Sequence, residues 1–150
     1  MNSLLRFIAA GFGSGYAPKA PGTWGSLVGL VLGTVLLIFG GDVALAVGIV
    51  VASVGGYYVV TRLPEQNDDP SWVVIDEIAG QMIPLLGLAH LGAFGLLLSF
   101  ATFRFFDIAK PGPVGWADAK HNALGLMGDD LIAGGLALVF ILAVRLVLPL

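Results

Sequence analysis

Two runs without a charged residue, Trp24–Gly41 and Val43–Thr61, are separated by a single aspartate, Asp42. Each approaches the ~20 residues that carry a helix across ~30 Å of hydrocarbon. The Gly40-Gly41-Asp42 junction reads as a tight turn, so the two runs are expected to form an antiparallel hairpin of spanning helices. Gly25, Gly29 and Gly33 recur every four residues on one face of the first run, where small residues let membrane helices approach closely. The composition agrees. Apolar residues make up 57% of the 150 residues and charged residues 11%, against roughly 45–50% and about 25% in soluble domains. A water-soluble chain of this size needs more charge to cover its surface, and a bilayer removes that need. The length predicts a single membrane-embedded domain, 1–150.

Two further apolar runs follow. Ile78–Phe103 carries no formal charge but is interrupted by Pro84, Gly87, His90, Gly92 and Gly95, and Leu131–Val144 forms a C-terminal apolar helix followed by Arg145. Arg145 is placed to snorkel to the interface. Between the runs lie three polar segments, Met1–Thr23, Arg62–Glu77 and Arg104–Asp130. They hold nine of the ten acidic residues, all but Asp42. If Ile78–Phe103 crossed the membrane once, the second and third polar segments would face opposite sides. If it enters and returns, turning near His90–Gly92, all three share one side. That side then carries Arg6, Lys19, Arg62, Arg104, Lys110 and Lys120, and the positive-inside rule makes it cytoplasmic. The broken or re-entrant reading is therefore preferred. The expected fold class is all-α, a small polytopic membrane bundle.

Several function classes drop out. A net charge of −3 with no basic tract does not suit nucleic acid. The absence of cysteine removes disulfides, thiolate chemistry and cysteine-containing zinc sites. The N-terminus does not resemble a cleaved signal peptide.

The remaining chemistry is acidic. Asp76-Glu77 stands at the head of an apolar run, before the small residues Ala79 and Gly80. Helix-start carboxylates interact well with the dipole. Adjacent residues point about 100° apart on a helix, however, so capping does not account for both. Asp129-Asp130 repeats the pattern before Ala133-Gly134-Gly135. Between the pairs lie Arg104, Asp107, Lys110 and Asp118. Asp107 and Lys110 are three apart and share a face if helical. Lys110-Pro111 ends that helix, because a residue before proline disfavours the helical region. Oxygen ligands without cysteine and with few histidines point to Mg²⁺ or Mn²⁺. His90 reads as a turn histidine, and His121 as either a phosphate ligand or a solvated side chain. The Gly-rich stretch Gly11–Ser26 enters a helix, with Thr23 as its candidate N-cap and a candidate anion site at the helix start.

Ala20-Pro21-Gly22-Thr23-Trp24-Gly25-Ser26-Leu27, Val74-Ile75-Asp76-Glu77 with Gly80, Phe103-Arg104 to Phe106-Asp107 with Lys110-Pro111 and Pro113, Asp118, and Gly128-Asp129-Asp130 with Ala133-Gly134 together resemble the phosphatidylglycerophosphatase A family. The resemblance covers about residues 11 to 135. It implies an all-helical, magnesium-dependent phosphatase that converts phosphatidylglycerophosphate to phosphatidylglycerol in bacterial membranes. The expected localisation is the inner membrane, multi-pass, with the site facing the cytoplasm. The expected assignment is Asp76, Glu77, Asp107, Asp129 and Asp130 for metal. Arg104, Lys110, Lys19 and Thr23 are assigned to the phosphate, and Asp118 joins Asp76, Glu77 and Asp107 in catalysis. The chain lacks a Cys-x5-Arg loop, an Asp-x-Asp-x-Thr/Val motif, the Arg-His pattern of acid-type lipid phosphatases and the Asp-Gly array of CDP-alcohol transferases. Alternatives are a broader lipid phosphatase acting on phosphatidate and an ion-coupled transporter. Oligomeric state is left open.

Overall fold

A computed structural model describes residues 2–65, 67–68 and 70–150, and Asp69 of the second polar segment lies outside the described residues. The described residues form helices and no strands. α1 is Asn2–Ala9, followed by a 3₁₀ turn at Ser14–Tyr16. α2 is Pro21–Val60, and α3 is Ile75–Met82, continued by a 3₁₀ segment at Ile83–Gly87. α4 is Ala93–Ala109, α5 is Pro113–Asp118 and α6 is Ala123–Arg145. α2 and α6 are long and apolar enough to cross a membrane.

α2 breaks once, at Gly41, with φ 64° and ψ −163°, a conformation essentially reserved for glycine. The chain folds back there. Gly25 of the first arm lies against Val74 and Gly56 of the second against Ile75, so both arms end beside the start of α3. Near the turn, Leu45 packs close to Gly33. The hairpin expected at Gly40-Gly41-Asp42 is present in the fold. Each arm is about 20 residues, or about 30 Å long. Their outer faces carry exposed apolar side chains such as Val31, Ile38, Phe39, Val43 and Val51.

The glycine stripe seats α3. A Cβ on Gly29 would lie 2.6 Å from the Ile78 carbonyl oxygen, and one on Gly25 2.6 Å from the Val74 Cβ. No side chain fits at either position without displacing the helix it faces. α3 and α4 account for the third apolar run. Its proline, Pro84, and its glycines split it at the 3₁₀ segment and at a turn over Leu88–Gly92, where His90 is exposed. α4 then returns beside α3, with the Phe103 ring against Gly80. Asp76-Glu77 and Arg104-Asp107 thereby meet at one end of the molecule.

α6 departs from expectation. Asp129-Asp130 was expected at a helix start, but the helix begins six residues earlier, at Ala123. The Asn122 side chain caps it by accepting from the Gly125 N–H at 2.8 Å. Gly125 and Gly128 do not interrupt it, and a Cβ on Gly125 would meet the Ala117 carbonyl at 2.7 Å. Close packing against α5 therefore compensates for the glycine's low helix propensity. At the far end, Arg145 Nη1 donates to the Gly87 carbonyl at 3.2 Å and ties α6 to the inner turn.

Candidate active site

Asp76 and Glu77 occupy the first turn of α3. Their carboxyl groups meet, and Asp130 of α6 joins them. One carboxylate oxygen from each of the three lies within 4.8 Å of the others. α6 gets this close because a glycine on each helix faces a backbone carbonyl of the other. A Cβ on Gly80 would lie 2.6 Å from the Asp130 carbonyl, and Gly134 packs on the Gly80 carbonyl. Glu77 reaches over Gly22 at the start of α2, where any Cβ would collide with its Oε1. Gly22 in the first turn of α2, Gly80 in α3 and Gly134 in α6 thus make room for the acids.

The acids open into a pocket of about 390 Å³, bounded by Ala20, Gly22, Ser71, Arg104, Ile108 and Lys110. Arg104 pairs with Asp107 one turn on, and its Nη1 lies 3.4 Å from the buried Ser26 hydroxyl. Lys110 is held between two carboxylates, with Nζ 2.6 Å from Asp118 Oδ1 and 2.5 Å from Asp129 Oδ2.

The expected set is therefore partitioned. Asp76, Glu77 and Asp130 form the tight cluster. Asp107 lines the pocket beside Arg104, and Asp129 lines it facing Lys110. The expected Asp107–Lys110 contact is absent. Lys110 caps α4 in a left-handed conformation, φ 46°, which carries its side chain toward α5 and α6. Asp118 does not line the pocket but stands behind Lys110. Thr23 is not the N-cap of α2. That position is Ala20, with φ 50°, and Pro21 takes the first helical place, where its missing N–H costs nothing. Thr23 lies within the first turn and outside the pocket lining. Lys19 is exposed, one residue from the pocket-lining Ala20. Two buried polar residues near the site carried little sequence signal. Ser26 stands in a glycine-rich helix and Gln81 in an apolar run. A polar residue inside such a run was the only available hint.

Electrostatics follow from the crowding. Burial first, then the neighbouring charges of Glu77, Asp130 and Asp129, hold the Asp76 carboxyl well above the usual carboxylate range. Burial likewise raises Glu77, with Asp107 adding to it, against hydrogen bonding from Asp76 and the charge of Arg104. Burial works against the charge of Lys110, but its bonds to Asp118 and Asp129 prevail and raise the ammonium above its ordinary value. Three carboxylates this close repel each other unless a cation or protons intervene. Glu77 Oε2 is buried and has no hydrogen-bond partner among the described residues. An all-oxygen donor set of three converging carboxylates fits a hard divalent cation.

An all-helical chain with two helices long and apolar enough to cross a membrane sets clustered carboxylates against an arginine and a lysine in one pocket, the groups with which an enzyme of the phosphate-ester hydrolase class can hold its substrate. The family model for phosphatidylglycerophosphatase A matches residues 7–145. Phosphatidylglycerophosphatase A of Haemophilus influenzae is 36% identical over 144 residues, covering 94% of this chain and 88% of that one. The protein of the same name from Escherichia coli K12 is 30% identical over 136 residues, covering 89% and 79%. A protein of Bacteroides thetaiotaomicron, named provisionally as a phosphatidylinositol-3-phosphatase, is 34% identical over 148 residues, covering 94% and 93%. No solved structure matches the chain. The chain belongs to the phosphatidylglycerophosphatase A family and is a phosphatase.

Proposed function

We propose that the chain removes the terminal phosphate of phosphatidylglycerophosphate with the help of Mg²⁺, leaving phosphatidylglycerol in the cytoplasmic leaflet of a bacterial inner membrane. The observation that carries this reading is the convergence of Asp76, Glu77 and Asp130 within 4.8 Å in a pocket that also presents Arg104 and Lys110. Asp76, Glu77 and Asp130 would hold the cation, with Asp107 beside them. When bound, a divalent cation neutralises phosphate oxygens and supplies a water of lowered pKa.

The chain's own residues do the rest. Arg104 presents a planar fork suited to phosphate oxygens, and Asp107 and the Ser26 hydroxyl hold that fork in place. Lys110 adds a second positive charge at the rim, aimed by Asp118 and Asp129. Asp129 lies outside the three-carboxylate cluster and lines the pocket, so it is the candidate to take the proton of the attacking water. Water adds to phosphorus, the bond to the glycerol oxygen breaks, and that oxygen takes up the proton that Asp129 had received and leaves as the alcohol. Positioning and electrostatics supply most of the rate in such transfers. The two arms of α2 and the C-terminal part of α6 span, while α3 and α4 enter and return. The acyl chains of the substrate then stay in the bilayer while the headgroup reaches the pocket.

A second headgroup reading is favoured by the Bacteroides relative, whose name specifies an inositol lipid. Phosphate release from phosphatidylglycerophosphate, phosphatidate and phosphatidylinositol 3-phosphate in detergent, with Mg²⁺ or EDTA, tests both readings. Release from the first lipid that is fastest and abolished by EDTA is expected. Release indifferent to EDTA sinks the metal reading, and preference for the inositol lipid replaces the substrate.

A further inference from the structure

Gln81 is fully buried, yet neither its amide nitrogen nor its carbonyl oxygen has a hydrogen-bond partner among the described residues. The other fully buried polar side chains, Ser26 and Ser99, each bond a backbone carbonyl of their own helix. An unpaired amide in an apolar surrounding is costly, and a leucine of similar size would fill the space without that cost. Such an orphan calls for a partner of another kind.

Its position names the partner. Gln81 follows Glu77 by four residues on α3, so the two side chains lie on one helix face with Cβ atoms about 5–6 Å apart. Glu77 reaches over Gly22 and the Gln81 Cβ sits over Gly29. On α2 the fully buried Ser26 lies between those glycines and receives Arg104 Nη1 at 3.4 Å. A polar strip thus runs inward from the pocket along the α2–α3 seam. At its two ends on α3 stand two orphans, Glu77 Oε2 and the Gln81 amide.

We propose that Gln81 is a positioning residue for the acid cluster, acting through a buried water that accepts from Gln81 Nε2–H and donates to Glu77 Oε2. The water gives partners to Glu77 Oε2 and Gln81 Nε2 at once, as buried waters with two or more polar partners do, and Gln81 Oε1 takes no part in it. It fixes the Glu77 carboxylate in the place it holds over Gly22 and beside Asp76 and Asp130. The inference rests on the reading of Glu77 as a cation ligand. Outer-shell partners of this kind change metal affinity by about 10–100-fold when removed.

The test compares the wild-type protein with Gln81→Leu and Gln81→Met in detergent. Mg²⁺ affinity is measured by titration calorimetry, metal-free melting by circular dichroism, and turnover as a function of Mg²⁺. Both variants are expected to bind Mg²⁺ about 10–100-fold more weakly. Their metal-free melting temperature should be unchanged or raised, and turnover should recover at high Mg²⁺. A merely structural glutamine predicts a lower melting temperature with an unchanged Mg²⁺ requirement, and that result overturns the proposal. If neither variant folds, a high-resolution wild-type structure decides, since a dry gap between Gln81 Nε2 and Glu77 Oε2 overturns it and an ordered water upholds it. Wild-type protein that binds no Mg²⁺ defeats the metal reading instead, and the water in that structure still decides the role of Gln81.

Discussion

Lys110 Nζ and Asp129 Oδ2 lie 2.5 Å apart across nineteen residues of sequence, and this bond joins the end of α4 to the middle of α6. Asp129 is nearly buried, whereas the lysine is one-third exposed. The lysine therefore stays reachable from the pocket while its charge is held in place. Replacing Lys110 by Met is expected to lower kcat/KM for the lipid phosphate by about 100-fold or more, the scale of losing one preorganised electrostatic group. The substitution also leaves the nearly buried Asp129 carboxylate without its partner, so the melting temperature should fall as well. Phosphate-release kinetics and thermal melting on the same preparation separate the two effects.

The three-carboxylate cluster makes a sharper demand. Asp76→Asn, Glu77→Gln and Asp130→Asn should each weaken Mg²⁺ binding and reduce turnover by about 100-fold or more. Asp118→Asn, which removes a group outside the pocket, should leave Mg²⁺ affinity within about threefold of wild type, because its carboxylate acts on Lys110 and not on the cation. Calorimetric Mg²⁺ titrations of the four variants decide the partition. Equal losses in all four would mean that the cluster is drawn wrongly.

Burial raises Asp76 and Glu77, and the sign of the pH effect follows. A carboxyl whose folded pKa lies above its unfolded value binds its proton more tightly when folded. The metal-free protein therefore loses stability as pH rises from the ordinary carboxylate range through the raised folded value. Cation binding needs the ionised form and releases those protons. Mg²⁺ is thus expected to stabilise the fold more at pH 8 than at pH 6. Melting curves with and without Mg²⁺ at the two pH values test this, and a stabilisation that shrinks with pH would contradict it.

Glycines at the α3–α6 contact should be intolerant. Gly80→Val would set a Cβ 2.6 Å from the Asp130 carbonyl and 2.7 Å from the Phe103 ring. It should destabilise by about 1–3 kcal/mol or more and reduce activity by displacing Asp130. Gly135 has open space around its Cβ position. Gly135→Ala should therefore fold normally, gaining up to about 1 kcal/mol from helix propensity. Thermal melting in detergent distinguishes the pair.

Topology is accessible because the chain has no cysteine. Single cysteines at Asp68 and Gly112 are expected to react with a membrane-impermeant maleimide from the same side of sealed vesicles, and one at Asp42 from the other. Labelling of positions 68 and 112 from opposite sides would break the re-entrant arrangement.

Much of the architecture was legible because apolar runs and their breakers report directly on helices. Gly41 marked the hairpin turn, Pro84 and Gly87 the break in the third run, and Lys110-Pro111 the end of α4. The glycines at 25, 29 and 33 marked the face that receives α3. The start of α6 was not legible, because the uncharged run that marks the helix begins only at Leu131, after Asp129-Asp130, while the helix starts at Ala123. Thr23 looked like a cap by residue type, but the left-handed Ala20 and Pro21 start the helix before it.

The sequence alone determined which groups are available: uncharged runs of spanning length, nine of the ten carboxylates confined to the polar segments between them, and no thiol. Residue type and hydropathy settle these through desolvation, which keeps charge out of hydrocarbon wherever the chain folds. Only the tertiary structure decided which carboxylates share a cation-sized space. Asp130 and Asp129 are neighbours in sequence, yet one joins Asp76 and Glu77 while the other turns to Lys110. The angle between adjacent helical side chains separates them, and the glycine contact between α3 and α6 sets which of the two faces inward.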